Sequence, residues 1–98
     1  MTNEKPWYLN DSELSQGYEK FVEESQGAFL DPKTQELLKL VCASIFRCHR
    51  CTQIHLKKSL AVGASKDEIK EALLISSEMA AATQLNWDHE DFEKYLGE

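Results

Sequence analysis

Phe46-Arg47-Cys48-His49-Arg50-Cys51-Thr52-Gln53-Ile54-His55 is the stretch on which the reading of this chain depends. From Lys33 to Val62 there is neither glycine nor proline, so periodicity alone permits one long helix. A break near Phe46-Arg47 is the physically better solution. A helix starting near Cys48 sets both cysteines beside unpaired N–H groups and the positive dipole end, which favour thiolates. On that helix Cys48, Cys51 and His55 stand at i, i+3 and i+7 and share one face at about 100° per residue. Residues three apart lie about 5–6 Å apart, within the span of a disulfide. His55, one turn beyond Cys51, is placed to take its proton or steady its thiolate. A thiol with a nearby base is the recurring requirement for an activated sulfur nucleophile.

Working outward, the periodicity is helical nearly throughout. Asp11 or Ser12 can cap a first helix running to about Gln26, with Leu14, Tyr18, Phe21 and Val22 at i, i+4, i+7 and i+8. Gly27 ends it, and Asp31-Pro32 reads as an N-cap followed by proline at the first helical position. Gly63 closes the cysteine helix. Ser65-Lys66-Asp67-Glu68 matches a capping box opening a helix to about Thr83. A last short helix follows Asp88, with Trp87 and Phe92 at the positions of a hydrophobic staple. The expected fold is all-α, about five helices in a single domain spanning residues 1–98.

Two segments are more apolar than a surface helix needs. Leu37, Leu38, Leu40, Val41, Ile45 and Phe46 cover most of the circumference of one helix; Ala72-Leu73-Leu74-Ile75 and Ala80-Ala81-Ala82 do much the same in another. A 98-residue monomer can hardly bury two such helices on all sides. Subunit contacts are the expected cover. Terminal aromatics (Trp7, Tyr8, Trp87, Phe92, Tyr95) fit core or subunit packing.

Apolar residues make up 42% of the chain, too many for disorder. Eleven basic against seventeen acidic residues give a net charge of −6, with no basic stripe. Nucleic acid and anionic membrane surfaces are therefore poor partners. The N-terminus has no apolar leader segment and no run approaches the ~18 residues of a membrane span. The expected location is the cytoplasm, where a C-x-x-C pair serves redox work or metal binding rather than as a staple. Cys42, between Val41 and Ala43, reads as a small buried hydrophobe. His49 and Arg50 read as exposed.

The run Asp31-Pro-Lys-Thr-Gln-Glu36-Leu-Leu, then Cys48-x-x-Cys51-x-x-x-His55, then Ala61-x-Gly63-Ala64-Ser65-x-x-Glu68-Ile69-x-Glu71-Ala72 resembles the carboxymuconolactone decarboxylase / alkylhydroperoxidase D (AhpD-like) family. The resemblance covers residues 29–83 in order and spacing. It implies an all-helical fold assembling as a homotrimer or homohexamer. It also implies that Cys51 is the activated thiol, served by a proton relay through Glu36 and His55, with Cys48 as its disulfide partner. Family decarboxylases proper commonly lack the cysteine pair, so its presence points towards peroxide or disulfide chemistry. The relay-bearing members often have a histidine immediately before the second cysteine, where this chain has Arg50 and carries His49 one place earlier. That departure bears on partner and substrate; an arginine beside Cys51 can itself favour the thiolate.

The relay carries a geometric condition. Glu36 and Cys51 are fifteen residues apart, about 22 Å along a continuous helix. They meet only if the chain turns between them, so the relay and the break near Phe46-Arg47 stand or fall together.

The favoured function is a thiol-dependent oxidoreductase with catalytic residues Cys48, Cys51, His55 and Glu36 and no cofactor. Cys51 attacks a peroxide oxygen or a disulfide sulfur. Cys48 resolves, and an external thiol reductant or partner redox protein reopens the pair. The opposite order also follows from the residues, since thioredoxin-like logic makes the first cysteine the attacker. One alternative is a metal-binding module of Cys48, Cys51, His55 and His49 or Cys42, although the spacing supplies half a conventional zinc site. The other is a decarboxylase-like or non-catalytic helical oligomer in which the cysteines are incidental.

Overall fold

In the computed structural model, which describes residues 6–9 and 12–97, Ser12, Cys48 and Ser65 each stand just ahead of a helix and cap it with their own side chains. Ser12 Oγ accepts the Ser15 N–H at 3.0 Å, Cys48 Sγ accepts the Cys51 N–H at 3.1 Å and Ser65 Oγ accepts the Glu68 N–H at 3.0 Å. Each acceptor satisfies one of the donors that a helix start leaves unpaired. Among the described residues a 3-10 turn at Trp7–Leu9 precedes α1 (Glu13–Ser25), α2 (Pro32–Ile45), α3 (His49–Ala61), α4 (Lys66–Asn86) and α5 (His89–Leu96), with no strand. No helix among them is long and apolar enough to cross a membrane. The all-α expectation holds. The chain forms two compact units, Met1–Pro32 and Lys33–Glu98.

In the first unit Ser12 is the cap of α1; Asp11, the other expected cap, lies outside the described residues. The helix ends at Ser25 with Gln26 in an extended conformation. Gly27 therefore follows the stop rather than making it. Trp7 and Tyr8 meet edge to face, with ring centroids 5.7 Å apart.

In the second unit the expected break is present. Arg47 takes φ +60°, its N–H bonds to Ser44 O at 3.2 Å and the Cys48 N–H to Ala43 O at 2.9 Å. That pair of bonds around a left-handed residue is a Schellman motif. Cys48 is thus the last member of the motif closing α2 and the cap opening α3. The far end of α3 repeats the arrangement with Gly63 at φ +93°, Gly63 N–H to Leu60 O and Ala64 N–H to Ser59 O. Ala64 is buried there, as are Leu40 and Ala43 of α2.

The Ser65–Glu68 capping box is complete, since Glu68 Oε1 accepts the Ser65 N–H at 2.9 Å. Glu68 Oε2 also meets Lys33 Nζ at 2.7 Å, tying the start of α4 to the start of α2. From this start α4 runs to Asn86, three residues past the expected Thr83. Nothing in Thr83-Gln84-Leu85 breaks a helix, and Thr83 and Asn86 bond back to carbonyls one turn earlier. Asp88 precedes α5 without a side-chain cap bond. Trp87 and Phe92 both stay more than half exposed, so the expected staple buries little.

Candidate functional site

Two helix faces build the site. On α2, Glu36 shares a face with the buried Leu40 and Ala43 at i, i+4 and i+7, which directs its carboxylate inward. On α3, Cys48, Cys51, His55 and Ser59 follow at i, i+3, i+7 and i+11. The Schellman turn at Arg47 reverses the chain between the two faces, and Glu36 Oε2 meets His55 Nδ1 at 2.8 Å. Nineteen residues of sequence separation are closed by that one bend. The side chains are 13% and 21% exposed, so the pair is screened less than a surface ion pair. Lys39 Nζ lies 3.7 Å from the other carboxylate oxygen, Oε1. One mostly buried carboxylate therefore faces two basic groups.

Cys48 and Cys51 are joined as a disulfide with Cα atoms 5.2 Å apart, inside the range that the helical i, i+3 spacing allows. The Thr52 hydroxyl donates to Cys48 O at 2.9 Å and adds to the start of α3. Cys42 is free and exposed, not buried. Leu40 and Ala43 nearby in sequence are buried, but about 100° per residue puts Cys42 on the far side of α2 from Leu40.

Of the two basic residues between the cysteines, His49 is exposed as expected, whereas Arg50 is half-buried. Arg50 Nε and Nη2 are buried without a hydrogen-bond partner among the described residues. No acidic residue on α3 lies near enough in sequence to have signalled this. Ser59 carried no role in the sequence reading. It is 0% exposed, and its hydroxyl finds no partner among the described residues, one turn beyond His55 on the same face. Its position four residues after His55 was the available signal. Arg47 likewise entered the reading only as a bend. A cavity of about 250 Å³ beside Cys48 is lined by Ala43, Ser44, Arg47, Cys48, His49 and Thr52.

Among the described residues no group of three or more His, Cys, Asp or Glu side chains is arranged to hold a metal ion. Of the residues expected as candidate metal ligands, Cys48 and Cys51 are joined to each other. The chemistry that the arrangement supports is proton transfer and sulfur exchange.

No solved structure matches this chain. One curated relative, "Uncharacterized protein 4 in cox locus" of Paracoccus denitrificans, is 33% identical over 52 residues, covering 53% of this chain and 47% of that protein. The chain thus spans about half the length of the curated relative it matches. The family model for the carboxymuconolactone decarboxylase family matches residues 13–87, which takes in α1 as well as the 29–83 stretch quoted from the sequence. With that match over most of its length, the chain belongs to the carboxymuconolactone decarboxylase family, which includes the AhpD-like proteins.

Proposed function

We propose that the protein is an AhpD-like, thiol-dependent oxidoreductase that reduces a peroxide or a disulfide through Cys48 and Cys51. The observation that carries this reading is the 2.8 Å contact between Glu36 Oε2 and His55 Nδ1, one turn from a joined cysteine pair. With Nδ1–H donating to the carboxylate, Nε2 is the ring nitrogen left to accept a proton. Glu36 sets the tautomer and ring orientation and stabilises the imidazolium once it forms.

In the peroxide reaction the Cys51 thiol gives its proton to His55, and the thiolate attacks the distal peroxide oxygen. The O–O bond breaks, Cys51 becomes a sulfenic acid, and the leaving alkoxide or hydroxide takes the proton back. The Cys48 thiol then gives up its proton and attacks Sγ of Cys51, hydroxide leaves with that proton as water, and the Cys48–Cys51 disulfide forms. An external thiol reductant or partner redox protein in a reducing compartment restores the dithiol. The assembly proposed with this chemistry is a homotrimer or homohexamer.

The test is iodoacetamide alkylation of the reduced protein against pH, read at Cys51 by peptide mass. His55→Ala and Glu36→Gln should each slow Cys51 alkylation several-fold near neutral pH. The double variant should lose less than the two losses combined, because both groups act on one proton. Profiles unchanged from wild type would overturn the relay.

A further inference from the structure

A disulfide left by peroxide has to be opened by an incoming thiol, and its two sulfurs compete for that attack. Their surroundings differ. Cys48 lines the cavity of about 250 Å³ at the junction of α2 and α3, and Cys51 is not among its walls. The cavity is an open depression rather than an enclosed one, and its volume, below the ~300–1,000 Å³ of sites for drug-sized ligands, has room for a small thiol. The walls also carry a definite charge. The chain has seventeen acidic and eleven basic residues, yet among the described residues no carboxylate lines this cavity. Its ionisable groups besides sulfur are Arg47 and His49.

Arg47 adds an independent observation. It occupies the left-handed position of the Schellman motif closing α2 at φ +60°, the position that Gly63 fills in the motif closing α3. Glycine adopts that conformation without steric cost, whereas a side chain is strained there. Strain retained at one specific side chain is a signature of a functional position.

Resting on the thiol-redox reading above, we infer that small anionic thiols enter through this cavity and open the disulfide at Cys48, with Arg47 and His49 as specificity-determining residues. The incoming thiolate attacks Sγ of Cys48. The new S–S bond forms as the Cys48–Cys51 bond breaks, and the electron pair leaves on Cys51, which is protonated by way of His55. A second thiolate attacks the outer sulfur of the mixed disulfide. Cys48 then departs as a thiolate accepting the Cys51 N–H that already bonds its sulfur at 3.1 Å. Two thiolates become one external disulfide, and the protein gains two electrons and the one proton delivered to Cys51.

The experiment uses the full chain oxidised to the Cys48–Cys51 disulfide and three probe thiols of similar size: mercaptopropionate, mercaptoethanol and cysteamine. They are compared at equal thiolate concentration and low salt, with N-ethylmaleimide quenching and peptide mapping. The expected product carries mercaptopropionate on Cys48 and maleimide on Cys51, and the rates fall from anionic to neutral to cationic thiol. Arg47→Gly should lower the anionic-over-neutral ratio roughly two- to fivefold, as for a partly screened charge pair. Arg47→Lys should keep the ratio, and His49→Gln should lower it further in the Arg47→Gly background. Mixed disulfide on Cys51, or one rate ratio shared by wild type and Arg47→Gly, overturns the inference while leaving the redox reading standing. A wild-type protein whose cysteine pair exchanges with none of the three thiols overturns the inference, and one whose reduced pair is also not oxidised by peroxide or a disulfide overturns the redox reading.

Discussion

Arg47 and Gly63 close consecutive helices with the same pair of backbone bonds, yet one carries a long side chain and the other none. Left-handed geometry costs a residue with a side chain about 1–2 kcal/mol. Glycine's extra chain entropy offsets about 0.5–1 kcal/mol of the relief. Arg47→Gly should therefore be neutral or stabilising by up to about 1 kcal/mol in urea denaturation. A clear destabilisation would mean that the arginine side chain contributes to folding and is not retained for binding alone. Ser59 makes the matching case for an interior hydroxyl. Burial without a partner costs a polar group about 1–3 kcal/mol, so Ser59→Ala should leave the midpoint unchanged or raise it. A large loss of stability there would show that the hydroxyl is satisfied in solution.

At the scale of elements, the start of α4 is held by its capping box and by Lys33 on α2. The Glu68 carboxyl lies below its ordinary pKa, first because Lys33 hydrogen-bonds it and then because the Ser65 N–H does. The folded value is thus lower than the unfolded one. The associated stability is fully present above the ordinary carboxylate range and is lost as pH falls through the folded value. Glu68→Gln should flatten the acid limb of a stability-against-pH curve, with the difference from wild type shrinking in high salt because the pair is partly exposed. An acid limb identical in the two proteins would remove Glu68 from the account. Ser65→Ala, which deletes the cap acceptor, should cost about 0.5–2 kcal/mol at neutral pH.

For the whole molecule the question is what covers the apolar faces of the Lys33–Glu98 unit. On α4, Leu74 and Met79 are each 58% exposed and Ile75 54%, and Phe46 at the end of α2 is 78% exposed. Apolar surface on this scale ordinarily marks an interaction site. Further copies of the chain are the proposed cover, in closed trimers or hexamers. Light scattering at micromolar concentration should report three or six chains, and Leu74→Glu should shift the distribution towards smaller species. A stable monomer that binds no hydrophobic dye would rule the assembly out.

The all-α class, the Ser65–Glu68 cap, the Gly63 stop and the cysteine–histidine face were all legible in the sequence. Each depends on residues within one or two turns of each other, where periodicity and capping chemistry act locally. Even the break at Phe46-Arg47 could be argued, although no glycine or proline marks it; the argument came from the needs of the thiols rather than from the residue at the bend. Glu36 was legible only through the family resemblance, because its partner lies nineteen positions away. What the tertiary structure alone decided is which faces of α2 and α3 meet. That choice brought Glu36 onto His55, left Cys42 outside, buried the guanidinium of Arg50 and the hydroxyl of Ser59, and set the Cys48 cavity between two basic residues. Burial is a property of a face against its neighbour, and a neighbour distant in the chain leaves no periodic trace in the sequence that meets it.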